Sequence, residues 1–486
     1  MIHHFSSRSA SLLAAVSLVV AACSGGDGGS SATTVADTAP PATEPAPDTS
    51  SVETTAAPTF EPTTLTLWSS FSDQESSDAF QKMIDACEAA NPWMTIKYVG
   101  KDEMSTALPA AIEAGSPPDL VQADFSGELA QIAAGDLSVA VDDLMARDGI
   151  SWDAFVAGGK RLVEFNGKHY GVPFSLDPAA LFYNQDSLTE VGIASAPATT
   201  EELLAAAKAL LKVGSDGTIE RVGFVPDVDG SYGLFLTRMF GAKEFSEDGT
   251  QVLVGDTADQ WVSALQWQKQ FYDLVDPDAF QRWADGLGSY DSADNFFITG
   301  QLPLYFEGSY FVTWPDRFGG GKPENWGVVP LPGPDGPADA SKQSLIASGN
   351  WFSIPRGVKN VDASWEAVKC LATDAPEIST FEQFVGNIPA HVATLDLYEA
   401  ALVPKQPGMK TFIDLVRSPG AQVPPSALVR GGLGDELSTL INEYRRRSWI
   451  SCWSRCSATS ASGFSAAWCC WRSEEHTSEL QSRQYL

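Results

Sequence analysis

Short polar and acidic side chains follow two predicted strands near the start of the folded region. Ser70, Phe71 and Asp73 come after the first strand, and Asp124 comes after the third. Ligands of open α/β sheets sit beyond the carboxyl ends of the strands, so we expect these side chains at a binding site. Their oxygens can accept hydrogen bonds from hydroxyl groups, and the aromatic ring of Phe71 can pack on an apolar face of a ligand. The alternative for Asp73 and Asp124 is that each caps the helix that follows it.

The elements that must position these residues alternate between strand and helix. Strands are predicted at residues 65–68, 95–99 and 119–123, and helices with apolar residues at helical spacing at 74–90 and 104–114. This β-α-β-α-β order is typical of a doubly wound α/β fold.

The alternation continues through the rest of the chain. Extended segments are predicted at 170–174, 180–184 and 348–352, and helices at 200–211, 260–274, 294–298, 364–372 and 377–385. Helical patterning persists to about residue 444.

Composition narrows the functional classes. The chain has 486 residues, of which 44% are apolar, and a formal net charge of -31. This length favours two or three domains with a real core. The negative charge repels phosphate backbones, which argues against nucleic-acid binding. The spacing of the seven cysteines matches no zinc site. We therefore expect no metal and no cofactor.

The N-terminus resembles a bacterial lipoprotein precursor. Arg8 precedes a short apolar run over residues 12–22, the pattern of a secretory signal peptide at residues 1–22. Residues 20–23 resemble a lipobox, which implies lipidation of Cys23. Residues 24–62 are rich in Gly, Ser, Thr, Ala and Pro and contain no Lys or Arg, which predicts a flexible linker. The alternative is an ordinary signal peptide beside an accidental cysteine.

The C-terminus has an unusual composition. Residues 445–447 are three arginines, followed by a stretch rich in Trp, Cys and Ser. Residues 472–482 resemble the translation of a sequencing-adaptor oligonucleotide. We therefore interpret 446–486 as a frame-shift and adaptor artefact; the alternative is a genuine basic, Cys-rich tail.

Cys87 and Cys370 stand apart from the other cysteines. In an oxidising compartment they could form a disulfide bond. Their helical surroundings fit two buried free thiols equally well.

Seven segments, in order, resemble extracellular solute-binding proteins of the carbohydrate-uptake class. Two positions depart from the family pattern: alanines fill the usual aromatic region near residue 89, and Thr200 stands where Trp is usual. The matching segments are the opening strand at 67–73, AANP at 89–92, AGSPPDL at 114–120, YGVP and LFYN at 170–184, residues 192–202, residues 297–310, and WGVVPLPG at 326–333.

The resemblance implies a two-lobed periplasmic-binding-protein-like fold of class II, with a ligand cleft between α/β lobes. The first lobe is expected to hold residues 62–174 and about 336–370, and the second about 175–335 and 371–445. The resemblance also implies that the protein captures a mono- or oligosaccharide outside the cytoplasm. It would deliver this sugar to the permease subunits of an ABC importer. We expect a monomer, anchored to the membrane by the lipid on Cys23.

The resemblance adds further site residues. Asp177 lies at the predicted crossover into the second lobe, where related sugar binders carry an acid. Asn350 and Trp351 lie in the expected late crossing, and Trp351 is the favoured aromatic platform, with core packing as its alternative. The remaining second-lobe candidates are Tyr232, Tyr310, where the family often has Trp, and Glu307, which could instead cap the next helix.

Three other classes of function stay open. A binding protein for a polyamine suits the acidic, aromatic site, and one for an amino acid or peptide would need an arginine in the cleft. A glycosidase with paired carboxylates is a further alternative, although no G-x-S-x-G, H-E-x-x-H or phosphate-loop motif occurs in the folded region. A purely structural surface protein is disfavoured by the cleft signature. We therefore expect a binding protein and not an enzyme.

Overall fold

The computed structural model describes residues 60–421, except 102–103, 125, 229–231, 247–248, 290–291, 318–324 and 335–344, and also residues 423, 437–439 and 441. The predicted signal peptide, Cys23, most of the linker and the predicted artefact at 446–486 lie outside this part of the chain. The described residues all belong to the unit Thr59–Leu486.

The first elements form a parallel β-α-β-α-β unit. Strand β1 is Thr63–Ser69, helix α1 is Gln74–Ala90, β2 is Met94–Gly100, α2 is Met104–Glu113 and β3 is Leu120–Asp124. Strand β1 lies between β2 and β3 and is parallel to both. The carboxyl ends of β1 and β3 therefore meet at one edge, as the sequence predicted.

The remaining strands are short, apart from β6 and β11. They are β4 (Glu164–Phe165), β5 (Lys168–His169), β6 (Val172–Asn184), β7 (Lys212–Val213), β8 (Ile219–Arg221), β9 (Leu304–Gly308), β10 (Trp326–Val329), β11 (Ile346–Ser353) and β12 (Ile388–Pro389).

Helices cover this sheet and its connections. They are α3 (Ser126–Ala134), α4 (Asp142–Arg147), α5 (Ala157–Leu162), α6 (Gln185–Glu190), α7 (Thr200–Leu210), α8 (Gly233–Thr237), α9 (Ala258–Tyr272), α10 (Pro277–Asp285), α11 (Trp314–Arg317), α12 (Val361–Thr373), α13 (Ala375–Val385), α14 (Val392–Leu402) and α15 (Met409–Arg417). Among the helices of the described residues, none is both long and apolar enough to span a membrane.

Strand β6 connects two parts of the eight-stranded sheet. Its first half pairs antiparallel with β11 and β12, and its second half, from Ala179 onward, pairs antiparallel with β9 and β10. The change of partner follows Asp177 and Pro178. These two residues therefore lie at the crossing between the two parts of the sheet.

The sequence predicted two separate segments where the structure has the single strand β6. Pro173 and Pro178 lack the N–H that a central strand normally donates, so both favour a strand end. The structure accommodates them because β11 is irregular opposite each one, with register shifts at Ile346/Ser348 and Asn350/Trp351.

The predicted helix at 294–298 does not form. Residues 296–300 adopt turns instead. The side chain of Asn295 accepts a hydrogen bond from the backbone N–H of Phe297 at 2.9 Å, a local bond that competes with helix formation.

Helix α1 forms as its sequence predicts. Its apolar residues, from Phe80 to Cys87, are buried on one face, and the carboxylate of Asp73 accepts from the backbone N–H of Ser76 at 2.9 Å. Cys87 forms a disulfide bond with Cys370 of α12 across 283 residues. Of the two alternatives left open by the sequence, the structure has the bonded one.

The predicted lobe boundary near residue 370 falls inside α12. Beyond it, Phe381 of α13 packs against Phe71, Phe80 and Phe174, with ring centroids 5.2–5.7 Å apart. Helix α13 thus packs on residues assigned to the first lobe, although it was assigned to the second. The division into lobes stays a prediction.

Candidate functional site

The carboxyl group of Asp177 lies at the crossing, in the middle of β6. One oxygen, Oδ2, accepts from the hydroxyl of Ser348 on β11 at 2.6 Å. The other, Oδ1, is buried and has no hydrogen-bond partner among the described residues. Burial raises the pKa of Asp177 to about 6, and the negative charges of Asp124 and Glu307 add to this effect.

Asp124 ends β3 and lies opposite Asn350 of β11. Burial raises the pKa of Asp124 to about 6, while its own backbone N–H lowers the pKa in part. Its charge also acts on Asp177. The strand order therefore brings Asp124, Asp177 and Asn350 together, as the sequence predicted.

A chain of buried amide and hydroxyl groups joins four strands beside these acids. Gln122 of β3 donates to the amide oxygen of Asn350 at 2.9 Å, and Asn350 donates to the hydroxyl of Ser175 at 3.2 Å. The side-chain oxygen of Gln122 accepts from the hydroxyls of Ser69 and Ser70 at 2.6 and 3.2 Å. Asn350 and Ser70 thus have partners within the protein, and the network fixes the strand ends around the acids.

Glu307 is a second buried acid, held by three tyrosines. Its carboxylate accepts from the hydroxyl of Tyr310 at 2.8 Å and also from the hydroxyls of Tyr232 and Tyr305. Burial and the charge of Glu307 raise the pKa of Tyr232, so this hydroxyl stays protonated as a donor. Glu307, Tyr232 and Tyr310 were all predicted site residues, and the structure brings them together.

Glu382 and Tyr398 extend the cluster on the side of α13 and α14. Both are fully buried, and neither the Glu382 carboxyl oxygens nor the Tyr398 hydroxyl have a hydrogen-bond partner within 3.5 Å among the described residues. Burial and the charge of Asp177 raise the pKa of Glu382, and the nearby Ser175 hydroxyl offsets this in part. Burial and the charges of Glu382 and Asp177 raise the pKa of Tyr398.

Sequence reasoning missed Glu382, Tyr398, Tyr305, Ser348 and Gln122. Two of them carried a readable signal. Glu382 lies on the same helical face as Ile378 and Val385, where an acid is out of place, and Tyr305 shares a strand face with Glu307.

For Trp351 the structure shows the alternative, which is core packing. Its side chain is 0% exposed and belongs to the hydrophobic core. Its neighbours in β11 explain the burial: Phe352 packs on Phe80 and Phe174 at 6.2 and 5.3 Å, and Gly171 lies against the Trp351 ring.

Phe71 and Asp73 lie outside the acidic cluster. The ring of Phe71 packs between Phe80 and Phe381 at 5.9 and 5.2 Å. Asp73 caps α1, so helix capping, the alternative given for this residue, is what the structure shows.

Two surface cavities are lined by other residues. One of about 270 Å³ lies between β8 and α10, and one of about 660 Å³ is lined by Tyr183, Trp326 and the segment before α15. Neither contains a carboxylate. The cluster around Asp177 is the better candidate because it combines buried acceptors, aromatic hydroxyls and the crossing strand. No three His, Cys, Asp or Glu side chains of the described residues are arranged to hold a metal ion.

Comparison with known proteins identifies the family. Residues 72–378, more than half of the chain, match the family described as bacterial extracellular solute-binding protein. The chain belongs to this family. Members are solute-binding proteins, which are not enzymes. The maltotriose-binding protein of Pyrococcus abyssi is 25% identical over 333 residues, which are 67% of this chain and 66% of that protein. This solute-binding protein thus spans just under two thirds of that relative.

Solved structures show the same two-lobed fold. CpMnBP1 with mannotriose bound has a TM-score of 0.66 and 22% identity, over 79% of this chain and 95% of that one. The GacH receptor of Streptomyces glaucescens GLA.O, solved unliganded and with acarbose, has a TM-score of 0.61 and 21% identity, over 79% and 94%. UgpB from Mycobacterium tuberculosis, with glycerophosphocholine, has a TM-score of 0.61 and 20% identity, over 79% and 93%.

Proposed function

We propose that this solute-binding protein captures a mono- or oligosaccharide at the cluster around Asp177 and delivers it to the permease of an ABC importer. The observation that carries the proposal is the convergence of Asp177 on the crossing strand with Glu307 and its three tyrosines. Carboxylates accept strong hydrogen bonds from ligand hydroxyls, and tyrosines provide both aromatic surface and further polar groups.

The ligands of related proteins support a sugar but do not decide it. A maltotriose-binding protein, a mannotriose complex and an acarbose complex are among the similar proteins. The same fold also holds glycerophosphocholine in UgpB. The ligand class therefore depends on the side chains at the site.

We also propose that the ligand is enclosed by movement of the two lobes. Strands β6 and β11 both pass through the crossing, where Ser348 and Asp177 meet. A few residues at such crossings can absorb the rotation of a hinge. The assignment of residues 62–174 and about 336–370 to one lobe and about 175–335 and 371–445 to the other belongs to this proposal.

Attachment to the membrane through Cys23 is a further part of the proposal. The apolar run before Cys23 and the linker after it support a lipoprotein, and the Cys87–Cys370 disulfide fits an oxidising compartment outside the cytoplasm. Metabolic labelling with a fatty acid tests the anchor. We expect label in the wild-type chain and none in Cys23→Ser; equal labelling of both would contradict it.

A thermal-shift screen tests the ligand class. The full chain carrying Cys23→Ser would be exposed to mono- and oligosaccharides, to spermidine and putrescine, and to amino acids. A ligand that binds only the native state raises the Tm by mass action. We expect a saccharide to raise it, and Asp177→Ala to abolish the shift. An increase in Tm with polyamines alone would instead support a polyamine-binding protein. The excess of buried acids favours this alternative.

Product analysis separates a receptor from a glycosidase. The saccharide that raises the Tm should be recovered intact after prolonged incubation with the protein. Release of shorter sugars at a rate that depends on Asp177 or Glu307 would contradict the proposal.

A further inference from the structure

Buried hydrogen-bond acceptors lack partners on the inner side of the site. They are Oδ1 of Asp177 and both carboxyl oxygens of Glu382, and the hydroxyl of Tyr398 beside them also has no partner among the described residues. The residues are 6%, 0% and 0% exposed. Buried polar atoms normally have partners, because burial without one is unfavourable. These acceptors can therefore accept hydrogen bonds from a donor that the described residues do not supply.

The charges that act on these carboxyl groups are all negative. Asp177 is influenced by Asp124 and Glu307, and Glu382 by Asp177. No Lys, Arg or His is among the hydrogen-bond, ion-pair or charge partners found for Asp124, Asp177 and Glu382 in the described residues. Buried like charges without a counterion destabilise the charged state of each group.

We propose that the captured saccharide is an amino sugar, whose protonated amine donates to Oδ1 of Asp177 near the carboxyl group of Glu382. The inference rests on the proposed function and narrows its substrate class. An ammonium group offers three donors and one positive charge, so it supplies both the missing donor and the missing counterion. A hydroxyl of a neutral sugar supplies only the donor.

Protonation of the acids links the proposal to pH. At low pH the carboxyl groups are neutral, so the amine loses its counterion, whereas a hydroxyl loses much less. The titratable groups coupled to Asp177 come from four elements: Asp124 on β3, Glu307 on β9, Glu382 on α13 and Tyr398 on α14. The tyrosines Tyr232, Tyr305 and Tyr310 surround Glu307. The preference for an amine should therefore fall as the pH decreases through about 6, the pKa of Asp124 and Asp177.

Calorimetric titration of matched ligands tests the inference. The full chain carrying Cys23→Ser would be titrated near pH 7 with glucosamine, galactosamine and mannosamine and with the β-1,4 dimer of glucosamine. Each is compared with its parent sugar and its N-acetyl derivative, which separates the charge from the added bulk. We expect the amine to bind at least about 10-fold more tightly than both uncharged forms in the responsive series. This advantage should disappear near pH 4.5.

Variants locate the effect. Asp177→Asn should remove the preference for the amine, and Glu382→Gln should reduce it; the second variant tests the inference if the first does not fold. Asp273→Asn is the matched control, because Asp273 is an exposed acid at the end of α9 and is paired with Lys269. It should keep the full preference.

The outcomes separate this inference from the proposed function. Equal or tighter binding of a parent or N-acetyl sugar would overturn the amino-sugar assignment and leave sugar capture in place. A preference for the amine that persists in both site variants would also overturn it. A folded protein that binds no saccharide, or binds only spermidine, would overturn both.

Discussion

The hydroxyl of Ser348 donates to Oδ2 of Asp177 at 2.6 Å, across 171 residues of sequence and between the two strands that cross the site. The bond fixes the carboxyl group at the crossing and satisfies one of its oxygens. The other oxygen is buried and has no hydrogen-bond partner among the described residues. One oxygen of this carboxyl group therefore makes a structural contact, and the other is the acceptor that we propose for the ligand.

Asp177→Asn should stabilise the unliganded protein at neutral pH. The pKa of Asp177 is raised in the folded state from its usual 3.8 to about 6, so its contribution to stability is fully present below about pH 3.8 and is lost as the pH rises through about 6. The amide carries no charge and keeps an acceptor for Ser348. We expect a gain of about 1–3 kcal/mol at pH 7.5 and almost none near pH 4. Denaturant unfolding at both pH values measures this, and equal gains at the two would contradict the assigned pKa.

Glu307→Gln should destabilise the protein more than Tyr310→Phe. The amide replaces a carboxylate that accepts from three tyrosine hydroxyls, and its NH₂ group cannot accept. We expect a loss of about 1–3 kcal/mol in the free energy of unfolding for Glu307→Gln, against about 0.5–1.5 kcal/mol for Tyr310→Phe, which removes one donor. Equal losses in the free energy of unfolding of the two variants would contradict this prediction. They would mean that changing the shared acceptor costs no more than removing one of its three donors.

Trp351→Phe should lower stability without changing ligand affinity. The Trp351 side chain is 0% exposed in the core, so the smaller ring leaves a cavity away from the ligand. We expect a loss of about 1–3 kcal/mol in the free energy of unfolding. The Kd for the sugar found in the screen should stay within about twofold of wild type, measured by calorimetry. A large loss of affinity with unchanged stability would restore Trp351 as a platform.

Removal of the disulfide should destabilise the fold without altering the site. Cys87 and Cys370 join α1 to α12, and neither helix supplies an acid of the cluster. The Cys87→Ser/Cys370→Ser variant should lose about 2–5 kcal/mol in the free energy of unfolding, because its unfolded chain is less restricted. Wild-type protein under reducing denaturation serves as the control and should match the variant. A loss confined to the variant would point to the serine substitutions themselves.

Local patterns predicted most of the elements and the family, and they supplied several of the candidate site residues. The bounds of α1 and β3 and the cap at Asp73 follow from apolar periodicity and helix-start signals. Asp177 was named from its place at the predicted crossover, and Glu307 from its place near Tyr310 in another family motif. Trp351 was assigned to the wrong environment because a strand buried on both faces has no alternation to show which side chains face a ligand. Glu382 was missed because its burial depends on how α13 packs on α1 and α14, which no local pattern encodes.

The bond between Cys87 and Cys370 also makes the intervening 282 residues a closed covalent ring, since the two cysteines are 283 positions apart. A protein outside the cell is exposed to secreted proteases, and a single cut in a surface loop of this ring would leave both fragments attached. The nicked molecule would still migrate as one species on a non-reducing gel and as two after reduction. Both strands of the crossing lie within the ring, so one cleavage event need not separate the halves of the binding site.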